Sequence, residues 1–309
     1  MEVHAHQDQG RAIGGFQKPL LIALAITLVV MIAEFVGGLL ANSLALLSDA
    51  GHMLADVLAL LLSIVAFRVS SRPPTNKTTF GFYRLEIFAA QINGATLVFL
   101  ALFIFYEAYH RVLQPEPVKS VLMMTVAVVG LVANIASARV LHASSKKNLN
   151  VKAAFLHIVG DLLSSIGVIV GGIVIFFTKW FIVDPILSLM IGLIILKGAY
   201  SVVKETAAVL LEAVPKHIDL AKLIREVEAI EGVKSFHDVH VWTITSGLHA
   251  LSGHVQIQDQ QISESARIME VIQEYLTQHY HINHTTLQLE CHACEPDRVC
   301  SLATKPSSE

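Results

Sequence analysis

"LSDAGHMLADVLAL", residues 47–60, sets Asp49, His52 and Asp56 in a stretch otherwise apolar enough to cross a bilayer. An ionisable side chain at the middle of a bilayer costs about 3 kcal/mol or more, so such a run needs a reason. His52 and Asp56 are four apart, which on a helix stacks an imidazole and a carboxylate on one face about 6 Å from each other. The spacing returns in "AFLHIVGDLLSS", residues 154–165, as His157 and Asp161. Two such pairs facing one another would form a shell of two imidazole nitrogens and two carboxylate oxygens. One pair alone reads equally well as a hydrogen-bonded core feature. Repetition of the same costly spacing in two separate segments favours a metal site.

The rest of the chain agrees with a membrane setting. Its 309 residues are 54% hydrophobic and 15% charged, with a mean hydropathy of +0.60, too apolar for a soluble globular protein. The net charge of −3 supplies no basic field of the kind nucleic-acid binding needs, so nucleic acid is excluded as a partner. Cys291, Cys294 and Cys300 all lie near the C-terminus, so no disulfide framework is expected and a reduced, cytosolic tail fits. The opening "MEVHAHQDQGRAIGGFQK" lacks the basic start and short apolar core of a cleaved signal peptide.

A span needs roughly 20 mainly apolar residues, and candidates fall at residues 19–40, 44–67, 84–112, 119–142, 152–178 and 184–206. Arg11, Lys18, Arg68, Arg72, Lys77, Arg84, Arg139, Lys146, Lys147 and Lys152 fall on one side of these spans. Only Arg111, Lys119 and Lys179 fall on the other. The positive-inside bias therefore places both termini in the cytoplasm. Expected domains are a cytoplasmic N-terminal segment, 1–18, a six-helix transmembrane domain, 19–208, a cytoplasmic domain, 209–294, and a disordered tail, 295–309.

Within the cytoplasmic domain, "HIDLAKLIREVEAIEGV" and "SESARIMEVIQEYLTQHY" repeat apolar residues at helical spacing, whereas "SFHDVHVWTI", "HALSGHVQIQ" and "TTLQLE" alternate as strands do. The order αββαβ makes a small α+β domain, with Gly247 marking the hairpin between the two central strands. Elsewhere in the spans, Glu34, Glu86, Gln91, Asn93, Glu107 and Asn134 read mostly as interhelical hydrogen-bond partners or interface residues.

The donor set narrows the ion. Imidazole with carboxylate in a tetrahedral frame suits Zn²⁺, tolerates Cd²⁺, Co²⁺ or Fe²⁺, and suits Mg²⁺ or Ca²⁺ poorly. Two carboxylates cancel a divalent charge, whereas the same site without its ion leaves two negative charges at low dielectric, which protons would neutralise. If the site opens alternately to each side, metal and protons move in opposite directions, as in an antiporter. Asp49 shares the face of His52 and Asp56; it could orient a histidine or relay protons, or make a helix-end or interhelical hydrogen bond.

With those residues in view, the chain resembles a cation diffusion facilitator of the zinc-handling branch, over residues 18–292. "SLALLSDAGHMLADV", "FGFYRLEI", "HIVGDLLSSIGV", "DPILSLMIG" and "HDVHVWTITSG" resemble family motifs in order and spacing. The resemblance implies a transport site at His52, Asp56, His157 and Asp161, a homodimer, export of the ion in exchange for protons, and a ferredoxin-like cytoplasmic domain. It implies a transporter, not an enzyme, in which zinc is the cargo and a regulatory ligand and no organic cofactor takes part. Residues 69–85, "VSSRPPTNKTTFGFYRL", contain no His, Asp, Glu or Cys, so the second metal site that some relatives have in that loop is not expected. The short "HASSKKNLN" loop looks bacterial, which implies the inner membrane.

The cytoplasmic domain is dense in histidine. His237 and His254 fall on neighbouring candidate strands and Glu290 ends a third, so these could converge on zinc. His240, His284, Cys291 and Cys294 are further candidates, with His4 and His6 as an N-terminal arm. The resemblance implies cytoplasmic metal sites at such positions, while several of these histidines read equally well as surface or strand-packing residues. One Cys-x-x-Cys is a weak signal on its own. Two readings from other classes compete: an intramembrane metal hydrolase and a membrane-tethered metal sensor. The first would need an open coordination position and a Glu base, and the chain has no His-Glu-x-x-His. The second leaves the membrane pairs unexplained.

Overall fold

The computed structural model describes residues 5–70, 72–145 and 149–291. They divide into two compact units, one from the chain up to Ile64 with Ile92–Val203, the other from Val65–Gln91 with the chain from Lys204.

Six long helices run through the chain: α1 (Ala5–Ala41), α2 (Leu44–Ser70), α3 (Arg84–Leu113), α4 (Ser120–Ser145), α5 (Leu149–Thr178) and α6 (Val183–Leu210). Among the described residues, five stretches are long and apolar enough to cross a membrane: Ile22–Ala41, Arg84–Leu113, Ser120–His142, Phe155–Thr178 and Val183–Leu210. The remaining long helix, α2, has 27 residues, about 40 Å at 1.5 Å per residue, which exceeds a hydrocarbon core of about 30 Å. It is also the helix that carries Asp49, His52 and Asp56. Val29, Phe99, Phe177 and Ile194 expose most of their surface. Such an apolar exterior is stable against lipid rather than water.

Helix α4 packs against both α1 and α5. Small residues allow the approach: a Cβ at Gly37 would lie 2.5 Å from Val126, and one at Gly172 would lie 2.4 Å from Met124. One internal cluster joins Ala41, Leu46, Met123, Ala127, Val168 and Ile175.

The start of α2 is fixed by another helix. Ser43 Oγ donates to Asp184 Oδ1 at 2.6 Å, Leu44 N to Asp184 Oδ2 at 2.7 Å and Ala45 N to Asp184 Oδ1 at 3.3 Å, all buried. A carboxylate from the first turn of α6 thus satisfies the N–H groups that a helix start leaves unpaired, and its charge suits the positive end of the dipole. Asn42, at φ +55°, makes the turn between α1 and α2, where Arg111 Nη1 donates to its carbonyl at 2.9 Å. Asparagine tolerates that left-handed conformation better than most residues.

The second unit contains α7 (Leu220–Glu228), β1 (Val233–Thr245), β2 (Leu248–Ile257), α8 (Ile262–Tyr280) and β3 (Ile282–Glu290). The expected αββαβ order is present, with β3 beginning at Ile282 rather than Thr285. Strand β2 is central, antiparallel to β1 and parallel to β3. Gly247, at φ +75°, sits in the β1–β2 turn, a backbone state that glycine adopts without a Cβ clash. Asp219 caps α7 by accepting from Lys222 N at 3.0 Å. The core buries Leu223, Val227, Phe236, Leu251, Ile272 and Leu276 between the sheet and the two helices.

Candidate metal centres

In the first unit, α2 and α5 bring the two His-x-x-x-Asp pairs together. His157 Nε2 lies 3.2 Å from Asp56 Oδ2 and 3.8 Å from Asp161 Oδ2, and His52 Nε2 lies 3.6 Å from Asp56 Oδ2. His52, His157 and Asp161 each offer a ligand atom within 4.8 Å of the others. Tetrahedral ligands at about 2.05 Å from a zinc ion stand about 3.3 Å apart, so these separations need only a small closure. His52 Nδ1 and Asp161 Oδ2 are buried without a hydrogen-bond partner. Donor atoms left in that condition are what a cation would satisfy.

The donors differ in access. The Asp161 side chain is 5% exposed and that of His157 40%. His52, His157, Asp161, Asp49 and Ser164 line a cavity of about 460 Å³ whose other wall is apolar, with Leu187, Met190 and Ile194 from α6. An ion entering it would exchange water for these donors against a low-dielectric wall. Asp49 accepts from Ser164 Oγ at 2.9 Å, an interhelical bond between α2 and α5 beside the pairs.

The other polar residues of the spans divide. Gln91 accepts from Thr206 Oγ1, linking α3 to α6, and Glu107 accepts from Arg111 Nε at 3.0 Å. Glu86 makes no interhelical bond among those seen; it accepts from Thr245 Oγ1 at 2.7 Å and Ser246 Oγ at 3.0 Å, at the β1–β2 turn. Glu34 Oε2 and Asn134 Oδ1, expected to bond between helices, are buried without a hydrogen-bond partner.

In the second unit, a second cluster forms on three adjacent strands. His237 on β1 pairs in register with His254 on β2, and Glu290 ends β3 beside them. Glu290 lies 3.3 Å from His237 Nε2 and 2.9 Å from His254 Nδ1. Those three residues offer ligand atoms within 4.8 Å of one another. Asp238 joins the edge, 3.1 Å from His240 Nε2 and 3.7 Å from His254 Nε2. Asp238 has φ +49°, at a register shift between His237 and His240. The bulge turns Asp238 toward the histidines where a regular strand would point it to the opposite face.

The remaining candidates are not gathered there. His284 lies on the same alternation as Glu290 but six residues away, about 20 Å along the strand. Its ring packs edge-on against Phe80 at a centroid distance of 5.5 Å, so the structure does not support it as a ligand of this cluster. Cys291 is free and exposed just after β3. His4 and Cys294 lie outside the described residues, as does the side chain of His6.

Sequence reasoning missed two positioning groups. Asp184 was visible only as part of an Asp-Pro at the start of a span, and Asp238 only as the neighbour of a histidine. A second buried histidine besides His237, His249, bonds to Thr243 Oγ1 through Nδ1 at 3.1 Å and faces His217 at 5.0 Å between ring centroids. Burial, and then the nearby His217 and His281, hold its pKa below the usual histidine range.

Comparison with known proteins matches residues 20–211 to the cation efflux transmembrane domain and 215–292 to the cytoplasmic domain of cation efflux proteins. The chain is 42% identical over 299 residues to the cadmium, cobalt and zinc/H(+)-K(+) antiporter of Bacillus subtilis, covering 96% of this chain and 94% of that one. It is 41% identical over 297 residues to the zinc transporter ZitB of Escherichia coli, covering 95% and 94%. A solved metal-bound C-terminal domain of the CzcD transporter from Cuprividus metallidurans is 36% identical, covering 24% of this chain and 99% of that one, with a TM-score of 0.22. With a helical membrane domain, a three-stranded α+β domain and family matches over nearly its full length, the chain belongs to the cation efflux, or cation diffusion facilitator, family of metal transporters.

Proposed function

We propose that this protein exports Zn²⁺, with Cd²⁺ and Co²⁺ as further substrates, from the cytoplasm in exchange for protons, through a transport site formed by His52, Asp56, His157 and Asp161. The observation that carries this reading is the meeting of both pairs on α2 and α5 beside one cavity. The ion binds neutral imidazoles and ionised carboxylates, so its arrival displaces protons and its departure readmits them. Alternating exposure of the site by movement of α2 and α5 then couples the two flows.

His237, His254 and Glu290, with Asp238 and His240 at the edge, form a second, regulatory zinc site. The protein works as a homodimer joined through its C-terminal domain, in a bacterial inner membrane with both termini cytoplasmic. The domains divide as a cytoplasmic segment, 1–18, a transmembrane part, 19–208, and a cytoplasmic part, 209–294. Zinc flux in proteoliposomes under an imposed pH gradient, with protons recorded together, tests the transport site. Opposed, coupled fluxes in the wild type that vanish in Asp161→Ala support it, and flux unchanged in that variant overturns it.

A further inference from the structure

Glu34 lies outside the four-residue cluster, on α1, and is 1% exposed. Its Oε2 is buried with no hydrogen-bond partner, and its Oε1 covers Gly130, where a Cβ would lie only 2.6 Å away. Two positions on α4 and one on α5 show the same condition: Asn134 Oδ1, Ser137 Oγ and Ser165 Oγ are buried and unpartnered.

These atoms are not scattered. Residues 130, 134 and 137 share one face of α4, and 161 and 165 share one face of α5. Leu141, one turn after Ser137, packs in a cluster with Ile158, one turn before Asp161. At the other end, Gly172 meets Met124. The two helices are therefore antiparallel, and the face of α4 from Gly130 to Ser137 runs from Glu34 to the level of Asp161. Toward the cluster the column ends at Asp161 on α5, whose Oδ2 is itself buried without a hydrogen-bond partner. The α4 face adds only Gly130, Asn134 and Ser137.

We propose that Glu34 is a proton-binding site separate from the metal ligands and coupled to them along this polar column. A buried carboxylate with an unpartnered oxygen is costly as an anion and cheap as an acid, so it holds a proton while the transport site lacks its ion. A divalent cation at Asp161 reverses the sign of the local field. Glu34 then ionises, and its proton leaves as the metal binds; when the metal departs, the carboxylate takes a proton back. No bond other than the O–H bond is made or broken. The unpartnered hydroxyls and amide between the two sites are suited to holding water along which a proton moves, and offer too little negative charge to hold a divalent ion.

This inference rests on the transport-site reading, and the test separates the two. Zinc is added to the purified full-length protein in detergent, and protons released per zinc bound are counted with a pH indicator across the neutral range. Glu34→Gln, an isosteric copy of the protonated form, is expected to bind zinc at both sites and release about one proton fewer per chain at saturating zinc. Equal release in wild type and variant overturns the proposal while leaving the transport site standing. Absence of zinc binding by the wild type overturns the transport-site reading itself. Should Glu34→Gln not fold, Glu34→Asp is measured instead: a shifted pH midpoint of release supports the site, and an unshifted midpoint overturns it.

Discussion

The two clusters use the same ligand chemistry on different supports. In the membrane unit, two helices each contribute a His-x-x-x-Asp pair, and the site opens on a cavity with His157 40% exposed. In the cytoplasmic unit, three hydrogen-bonded strands contribute His237, His254 and Glu290, whose side chains are 9%, 31% and 12% exposed. Strands locked in one ladder keep their ligands at fixed separations. Helices joined mainly through side chains, as at Asp56–His157 and Ser164–Asp49, can move apart. The contrast is the one expected of the proposed division between a site that releases its ion and a site that senses it.

Ligand removal sharpens this contrast most. His157→Ala is expected to lower zinc affinity at the membrane site by more than about 100-fold, since even groups behind a ligand are worth 10–100-fold. His254→Ala should leave flux at saturating zinc within about 3-fold of wild type and raise the zinc concentration needed for activation, because only the regulatory site loses a donor. Zinc titration of flux in the two variants checks both; equal losses of saturating flux would break the division of labour.

A smaller effect is expected at Asp184, which touches no candidate ligand. Asp184→Asn keeps the shape but weakens the charge-assisted bonds to Ser43, Leu44 and Ala45, a loss of about 2–3 kcal/mol. Thermal unfolding in detergent should show a lower Tm, and zinc flux should fall because α2 carries half of the transport site. A wild-type Tm would show that the clamp contributes nothing to the membrane unit.

The smallest effect concerns pH and the cytoplasmic unit alone. Because the folded pKa of His249 is depressed, the unfolded chain binds its proton first as pH falls through the unfolded value near 6.5. The folded state binds that proton only at lower pH, so stability is lost on acidification and fully present above about 6.5. The protection factors of β2 amides in the full chain, with metal chelated and the intrinsic pH dependence of exchange divided out, should fall below that pH, and His249→Gln should remove that component.

Much of the molecule was legible in the chain. The helical spacing of His52 with Asp56 and of His157 with Asp161 placed each pair on one helix face, because i and i+4 stack on any α-helix. Alternating apolar residues marked β1, β2 and β3, since a half-buried strand has no other way to present one face to a core. The six long helices followed from apolar runs whose length the bilayer dictates.

Other features depended on which segments meet. Asp184 caps a helix that starts 140 residues earlier in the chain, and local periodicity holds no trace of such a partner. Asp238 reaches its histidines through a single left-handed residue in a bulge, and alternation would have placed it on the wrong face. His284 was a further candidate until strand register set it beside Ala250, four positions from His254. Glu34 and Asn134 resembled ordinary interhelical bonding partners, and only the tertiary packing left Glu34 Oε2 and Asn134 Oδ1 buried without one. Sequence by itself determined the donors, their helical pairing and the apolar lengths, because these obey local geometry. Tertiary structure decided which donors converge and which buried polar atoms are left unpaired, because both depend on contacts between elements far apart in the chain.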